Sequence, residues 1–291
     1  MTSRLAVASV ALGGALLGAC GGGGTLLHPA HTLRNGEVSF TAGTSGRFGL
    51  GGLRRAERKL DDSIAIQGGA TTPDERAGFA QGAIARFAVG PGVAPFAAAR
   101  VGLGSQNEAG LAWTGRGVRV DGRHAFEWKT YAFSVGLAAT GLVTRPGKLP
   151  DQRVDDPDSP LVPRGGLRSA ELTSLGGYGL ELPLLFGYRS DADVVQLWAG
   201  LRGGFERDSF QFRLVEWSDA AYGASGHATR FWGGGLVGFS VGLAPVEVRV
   251  EVNAAYENAR GKLRLNGDGG ELSGDAAGLS LTPAMGISAK F

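Results

Sequence analysis

The amino-acid sequence predicts an all-β fold, a closed antiparallel up-and-down β-barrel, from three observations. The chain has 291 residues with 51 glycines, and a glycine in a helix interior costs about 1 kcal/mol. Beyond the first 35 residues, apolar side chains recur at alternate positions, which is the period of a strand with two different faces. The single cysteine allows no internal disulfide, and the net charge of +2 argues against a nucleic-acid-binding surface.

The first 19 residues have the features of a secretory signal peptide. Arg4 is their only charge, and the apolar stretch from Leu5 to Ala19 is shorter than the ~20 residues that a membrane-spanning helix needs. The stretch ends in Leu17-Gly18-Ala19-Cys20, which resembles a bacterial lipobox, and the resemblance implies a lipidated Cys20. We therefore expect a signal peptide at 1–19, a lipidated glycine-rich tether at 20–35 and a barrel at 36–291. An ordinary signal peptide with an incidental cysteine is the alternative.

The clearest alternation lies between Tyr178 and Tyr188. Even positions carry large apolar side chains, whereas odd positions include Gly179, Gly187 and Glu181. Ten residues at ~3.3 Å each, tilted by ~40°, project to ~25 Å, which is the height of the apolar band between the aromatic girdles of a transmembrane barrel. The spacing predicts that the two tyrosines belong to these girdles, that apolar rows face lipid, and that charged and glycine rows face the lumen.

The last predicted strand alternates apolar with small or polar residues and ends at Phe291. This pattern resembles the closing strand of bacterial outer-membrane β-barrels, in which the barrel-assembly machinery reads the terminal aromatic residue. The resemblance implies the cell outer membrane of a two-membrane bacterium as the location. It also implies membrane lipid, lipopolysaccharide and the assembly machinery as partners.

Short and long polar connections alternate along the chain and predict ten strands. The tight turns are expected at Pro91-Gly92, Asp121-Gly122, 190–193 and Ala244-Pro245. An even strand number places both termini on the periplasmic side. The segments 111–120 and 124–130 fit least well, and if this hairpin lies outside the membrane the barrel has eight strands. The predicted strands are 37–48, 79–90, 93–105, 111–120, 124–143, 169–189, 194–207, 229–243, 246–260 and 276–291.

The segment from Leu53 to Ile66 carries helix-forming residues and no glycine. It predicts a short amphipathic helix or a charged strand extension in the first outer loop. Guanidinium groups bind phosphate well, so its basic side chains are candidates for contact with lipopolysaccharide. A solvated charged loop is the plainer interpretation. The basic residues are Arg54, Arg55, Arg58 and Lys59.

Charged residues on the predicted inward faces favour a narrow or plugged lumen, because opposite charges in a small space pair with one another. A barrel of about eight strands has an interior that side chains just fill. The predicted lumen charge network comprises Arg86, Arg100, Glu181, Arg202, Glu206, Arg230, Glu247, Arg249, Glu251 and Glu257.

The sequence predicts no catalytic, cofactor or metal site. His227, with Ser225 and an acidic partner at Asp208 or Asp219, is the best candidate for nucleophilic catalysis, but a polar flexible loop is the plainer interpretation of these residues. His28 and His31 have a spacing that two metal ligands can use, but no third ligand accompanies them. The segments Asp155–Asp158 and Asn266-Gly267-Asp268 lack the glycine and glutamate spacing of a calcium loop.

These observations predict a non-enzymatic outer-membrane barrel of structural or recognition type. One alternative is a lipid-tethered periplasmic barrel that binds a small apolar ligand or a partner protein. A second is an outer-membrane hydrolase. The apolar rows separate the first two hypotheses: a membrane barrel directs them outward, and a soluble barrel buries them.

Overall fold

The computed structural model describes residues 24–65, 72–144, 167–216, 221–243, 245–265 and 270–291. The predicted signal peptide, Cys20, Asp155–Asp158, Asp219 and the segment 266–268 lie outside these residues. Within the described part of the chain, neither α-helix is long and apolar enough to cross a bilayer.

The fold is a closed barrel of ten antiparallel strands, as the sequence predicts, with every strand paired to its neighbour in the chain and β1 paired to β10. Two α-helices, α1 (Gly52–Ala65) and α2 (Pro73–Ile84), and a π-helical turn (Ala85–Val89) connect β1 to β2. The strands are β1 (Val38–Gly49), β2 (Gly92–Gly104), β3 (Asn107–Trp113), β4 (Gly117–Trp128), β5 (Tyr131–Thr144), β6 (Leu167–Arg189), β7 (Val195–Glu216), β8 (Ala221–Leu243), β9 (Val246–Leu265) and β10 (Glu271–Lys290).

The two ends of the barrel differ. The end where β1 begins and β10 finishes, called here the terminal end, has the short connections 105–106, 129–130, 190–194 and 244–245. The opposite end, the far end, carries the helical connection and the connection between β5 and β6. The strands β6 to β9 have 20 to 23 residues each, whereas β3 has seven. The wall is therefore taller on one side.

The predicted number of strands is correct, but the predicted strands and turns between residues 79 and 128 are wrong. The segment 79–90 is helical, because Thr72 and Glu75 form a reciprocal capping box that starts α2 with Pro73 in its first turn. Asp121-Gly122 lies inside β4, where Asp121 faces the lumen, and is not a turn. The region 107–144 contains three strands where two were predicted, and this extra strand restores the total of ten.

The prediction of a flexible tether is also wrong for its described part, from Gly24 onwards. Residues 25–32 are buried inside the barrel, and the chain reaches the surface at Arg34. The cause is non-local: charged side chains on the wall bind the backbone of this segment. We call residues 24–34 the N-terminal plug and residues 52–89 the helical plug.

The polarity of the wall agrees with the outward orientation that the alternation predicts. Leu180 and Phe239 are 53% and 44% exposed, whereas Glu247 and Arg249 are 7% and 2% exposed. Apolar rows therefore line the outside of the barrel, and charged rows line its lumen. This is the opposite of a soluble ligand-binding barrel, in which the apolar rows face inward.

Candidate functional site

The N-terminal plug is held by a carboxylate on β9. Glu251 accepts hydrogen bonds from the backbone N–H groups of Leu26 and Leu27, at 2.9 and 3.0 Å, and from the hydroxyl of Thr25 at 2.9 Å. The indole N–H of Trp198 donates to the same carboxylate at 3.2 Å. An extended segment has no internal backbone hydrogen bonds, so a buried wall carboxylate supplies the acceptors that its N–H groups need.

Arginines supply the donors for the carbonyl oxygens of the same plug. Arg123 donates to the carbonyls of Pro29 and His31, the latter at 2.9 Å, and Arg249 donates to that of Leu27 at 2.9 Å. Glu108 in turn binds Arg123 at 2.9 Å and accepts from a plug N–H group. The plug is thus bound through its backbone on several sides.

Burial keeps the two plug histidines neutral. His28 Nδ1 lies 2.9 Å from an Arg123 nitrogen, which can only donate, so the histidine accepts there. Desolvation, followed by the positive charges of nearby arginines, lowers the pKa of His28 well below its ordinary value. Desolvation and then Arg189 lower the pKa of His31 to about 4. Neither histidine pairs with a third metal ligand, and the described residues contain no cluster of three such ligands.

Near the middle of the lumen, the start of the N-terminal plug meets a charged cluster. Arg202 pairs with Glu181 at 2.7 Å, lies 4.7 Å above the ring of Trp232 and donates to the carbonyl of Gly24. Arg119 contacts Glu181 at 3.4 Å. The guanidinium of Arg202 on β7 therefore connects wall residues on β6 and β8 to the first described residue of the plug.

A second cluster lies towards the far end. Arg230 binds Glu206 and Glu257 at 2.6 Å each, and Glu257 also accepts from the hydroxyl of Ser280 at 2.5 Å. Arg47 on β1 lies 3.7 Å from Glu257. Removing one partner from such a buried group leaves an uncompensated charge, so the cluster acts as a unit.

The helical plug fills the far half of the lumen with apolar side chains. Phe87 stacks on Phe212 with ring centroids 4.8 Å apart, and its ring centroid lies 5.4 Å from that of Phe210. Leu53 and Leu60 on α1 are buried in the same core. The wall residues of this core come from five strands; among them are Leu172, Leu175, Ala224, Ala228, Ala259, Leu263 and Ala276.

Two arginines bind the last turn of the helical plug. Arg116 donates to the carbonyls of Phe87, Ala88 and Val89 at 2.8 to 2.9 Å, and Arg47 also donates to Val89. These carbonyls end a helical segment and lack intrahelical partners, so a cation is favourable there. Arg116 also lies 3.7 Å from Asp208 on the wall, which connects the plug to the charged lumen.

Little space remains at the inner end of the N-terminal plug. A cavity of about 30 Å³ lies among Gly24, Arg116, Arg202 and Arg230, which is room for no more than a few water molecules. A larger cavity of about 380 Å³ opens at the terminal end beside His28, His31 and Glu108. The described lumen therefore narrows from a polar vestibule to a closed middle.

The structure brings most residues of the predicted charge network together on the lumen side. Arg86 is the exception, because it lies on the π-helical turn of the helical plug and not on a strand. The lumen-facing members, all on strands, are Arg100, Glu181, Arg202, Glu206, Arg230, Glu247, Arg249, Glu251 and Glu257.

Sequence reasoning missed six further charged residues of this network. Arg47, Arg116, Arg119, Arg123, Glu108 and Asp121 are also buried in the lumen. The signal was present on β4, where Val118 and Val120 alternate with Arg119, Asp121 and Arg123 in the two-residue period. The apparent Asp-Gly turn hid it, because that dipeptide is typical of tight hairpins.

Aromatic rings form two rows on the outside of the barrel. Tyr178 and Phe205 have ring centroids 6.2 Å apart, and Phe205 and Phe231 are 5.3 Å apart. At the terminal end, Tyr188 lies 5.6 Å from Tyr131. Phe291 is exposed at the same end, 6.3 Å from the ring of Phe40 on β1.

The candidate catalytic residues are not assembled. Ser225 and His227 lie on the outward face of β8, whereas Asp208 is on the inward face of β7 and pairs in register with Ala228. The wall of the barrel therefore separates this carboxylate from the histidine. His124 is also outward, and its Nδ1 donates to the side-chain oxygen Oδ1 of Asn107 at 3.0 Å.

The outward side chains of the wall change from apolar to polar and basic beyond the row of Tyr178, Phe205 and Phe231. On β7 the next outward residue is Arg207, and on β9 the outward residues beyond Tyr256 are Asn258, Arg260, Lys262 and Arg264. On the inward side the change is reversed, from charged residues to the apolar core around the helical plug. A single level on the barrel therefore separates two regions of opposite polarity.

No protein-family model matches this chain, and no curated protein matches it. Solved structures with a similar fold include neisserial surface protein A, at 12% identity over 88% of this chain and 96% of that one, with a TM-score of 0.28. Ail, the attachment invasion locus protein of Yersinia pestis, is 11% identical over 88% and 99%, with a TM-score of 0.26. A major outer membrane protein from Thermus thermophilus is 9% identical over 87% and 99%, with a TM-score of 0.32. Function does not follow from likeness at this level, since one fold hosts many activities.

Proposed function

We propose that this protein is a bacterial outer-membrane β-barrel with a sealed lumen and a structural or recognition role. The observation that carries the proposal is the polarity of the wall. A continuous apolar band surrounds the barrel between two aromatic rows, and the ten described strands close so that no backbone edge among them faces outward. In lipid every backbone polar group needs an internal partner, and closure meets that requirement.

The height of the band supports a bilayer as its environment. On β7 the band extends from Val195 to Phe205, and on β9 from Val246 to Tyr256. Each span of ten residues at ~3.3 Å, tilted by ~40°, covers ~25 Å, which matches the apolar band of outer-membrane barrels. Large apolar side chains are exposed on all ten strands, whereas the surface of an ordinary soluble protein has only isolated apolar patches.

The asymmetry of the ends supports a periplasmic terminal end. Outer-membrane barrels have short periplasmic turns and longer outer loops, and the short connections here lie at the terminal end. On this assignment the helical plug closes the outer mouth, and the N-terminal plug enters from the periplasm. A lipidated Cys20 remains a proposal that rests on the lipobox-like sequence alone.

The filled lumen supports a role for the outer surface and not a pore. Both plugs bind wall residues through buried hydrogen bonds, and the described cavity at the inner end of the N-terminal plug has a volume of only about 30 Å³. Passage of a solute requires at least one plug to leave. Recognition by the outward surface and mechanical support of the envelope remain as the roles that the geometry favours.

Membrane fractionation of the Cys20→Ser variant tests the location. We expect it to stay in the outer-membrane fraction, to require detergent for extraction, and to migrate differently before and after heating on a gel. Release into the periplasmic fraction would instead support the alternative of a lipid-tethered soluble barrel.

Cysteine labelling tests the orientation in the same background. Arg58→Cys on the helical plug and Thr130→Cys in a short turn give one reporter at each end. An impermeant maleimide added to intact cells is expected to label the first variant and not the second. The reverse pattern would invert the assignment.

Planar bilayer recordings test the sealed lumen, with a general porin as the positive control. We expect the purified full chain to give no stable conductance of porin size at neutral pH. A large and persistent conductance from wild-type protein would contradict the sealed-barrel proposal without affecting the membrane location.

A further inference from the structure

The strongly basic part of the outer wall begins immediately beyond the aromatic row on β7 and continues outward along β9. Arg207 is one outward position beyond Phe205 on the same strand, which is ~7 Å along the barrel wall. We define the outer-wall basic patch as Arg207, Arg260, Lys262 and Arg264. All four side chains are exposed.

The strand register places these residues side by side. Arg207 pairs with Thr229, which pairs with Arg260, so the two arginines are two strands and ~10 Å apart. Two further outward positions along β9 are Lys262 and Arg264, at ~7 Å intervals. Their neighbours on β8 are His227 and Ser225, both of which can also bind an anion.

Positive charge is in excess within this surface. The patch has four cations, and the adjoining β10 contributes two acids, Asp275 opposite Arg260 and Glu271 opposite Arg264. Lys262 pairs with Glu271 at 2.9 Å, with both side chains about half exposed. Exposed pairs of this kind contribute little, so the pair does not prevent a stronger anion from binding. Arg213 lies further from the row and has Glu171 as its register partner.

Two features make phosphate on a lipid headgroup the fitting ligand. Guanidinium groups bind phosphate bidentately, and three of the four cations are arginines. The patch begins at the end of the apolar band with Arg207 and extends outward along β9, where Arg260 and Arg264 lie four and eight residues beyond Tyr256. The near end of the patch is therefore at the level of the headgroups of a bilayer. A headgroup phosphate is held at this level by its acyl chains, whereas a soluble anion is not.

We propose that the outer-wall basic patch binds the phosphate groups of lipopolysaccharide in the outer leaflet. The proposal rests on the proposed outer-membrane location and on the periplasmic terminal end. It differs from the sequence-based hypothesis for Arg54, Arg55, Arg58 and Lys59, because those residues lie on the helical plug at the mouth of the barrel, whereas the patch lies on the lipid-facing wall.

The test is titration of purified full-chain protein in detergent micelles with diphosphorylated lipid A. The patch variant is Arg207→Gln/Arg260→Gln/Arg264→Gln. The matched control is Arg54→Gln/Arg55→Gln/Arg58→Gln, which removes the same number of charges from the helical plug. Because each basic residue near an anionic surface contributes to binding, we expect the patch variant to bind at least about tenfold more weakly and the control to bind like wild type.

Two parallel titrations identify the ligand chemistry. Lipid A without its phosphates is expected to bind at least about tenfold more weakly than the diphosphorylated form, and inorganic phosphate is expected not to compete at millimolar concentration. Equal binding of both lipids, competition by inorganic phosphate, or a loss in the helical-plug control equal to that in the patch variant would each overturn the proposal.

Heat-modifiable migration of both triple variants shows that the barrel has formed. All six substitutions are on exposed side chains, so the folded state is expected to persist. Fractionation separates this test from that of the proposed function: a soluble wild-type protein refutes the location, whereas a membrane-bound protein that ignores lipid A phosphates refutes the patch alone.

Discussion

The terminal and far halves of the barrel have opposite polarity. In the terminal half, β7 directs Leu197 and Leu201 outward and Arg202 inward; in the far half, it directs Arg207 outward and Phe212 inward. The outward side chains change from apolar to charged because the terminal half of the wall faces lipid and the far half faces water. The inward side chains change from charged to apolar because the two plugs differ in their backbone hydrogen bonds. The extended N-terminal plug has backbone groups that charged wall residues must pair, whereas the helices of the other plug pair their own backbone groups and need only an apolar surface.

The largest expected effect comes from removing one member of the buried charge network. Arg230→Met leaves Glu206 and Glu257 without their shared partner, and the loss is expected to lower the free energy of unfolding by about 3–5 kcal/mol. The measurement is urea unfolding in detergent micelles. Lys262→Met in the far half removes an exposed pair and is expected to cost at most about 1 kcal/mol. Equal effects would show that the buried cluster is not coupled as described.

The next effect distinguishes lipid from water outside the wall. Leu201 is 65% exposed near the middle of the apolar band, and Leu201→Arg is expected to cost about 2–4 kcal/mol in liposomes. Gln211→Arg, outward on the same strand in the far half, is expected to change stability by less than about 0.5 kcal/mol. If both substitutions were tolerated in liposomes, the band would not lie in the bilayer.

Acid is expected to weaken the N-terminal plug before the helical plug. The pKa of His31 is lowered to about 4, while the unfolded value is near 6.5. Between these values the unfolded state binds a proton that the folded state excludes, so stability falls as pH falls from about 6.5 to 4. The slope is up to about 1.4 kcal/mol per pH unit for each such histidine.

Proteolysis of the plug as a function of pH measures this effect. His31 has no hydrogen-bond partner for either ring nitrogen among the described residues, so His31→Leu removes the titrating group without breaking a bond. The variant is expected to show a flatter pH dependence than wild type. An unchanged profile would mean that other groups set the acid response.

The smallest effect concerns the end of the helical plug. Gly90 follows the π-helical turn with φ +66°, and a Cβ there would lie 2.5 Å from Arg116. Gly90→Ala is therefore expected to cost about 1–2 kcal/mol in urea unfolding. Gly78→Ala, inside α2 and with nothing closer than 3.8 Å, is expected to stabilise the protein by about 0.5–1 kcal/mol. If both substitutions changed the free energy of unfolding in the same direction, the left-handed conformation of Gly90 would be contradicted.

The outer rows of the wall were predictable, because lipid imposes a strict two-residue period on every strand that crosses it. The contents of the lumen were not. The segment 79–90 mixes alanine, glycine and apolar residues in a way that suits a strand or a buried helix equally. Only Thr72 and Glu75, with Pro73 between them, marked a helix start in the sequence.

The N-terminal plug had no local signal. Its buried state depends on Glu251, Arg123 and Glu108, which lie between 75 and more than 200 positions away in the chain. A short polar segment before the first strand looks like a tether when its partners are unknown. Non-local ion pairing of this kind is specified by the closed barrel and not by the segment itself.

The positions of the two plugs in the chain also constrain assembly. Both flank β1 and therefore precede the other nine strands in the order of synthesis. The pairing of β1 with β10 is the last to become possible in chain order. Both plugs are attached directly to β1, which is one of the two strands of this pair. Closure of the barrel and insertion of the two plugs are thus mechanically linked, and we expect no closed barrel without its plugs to form during assembly.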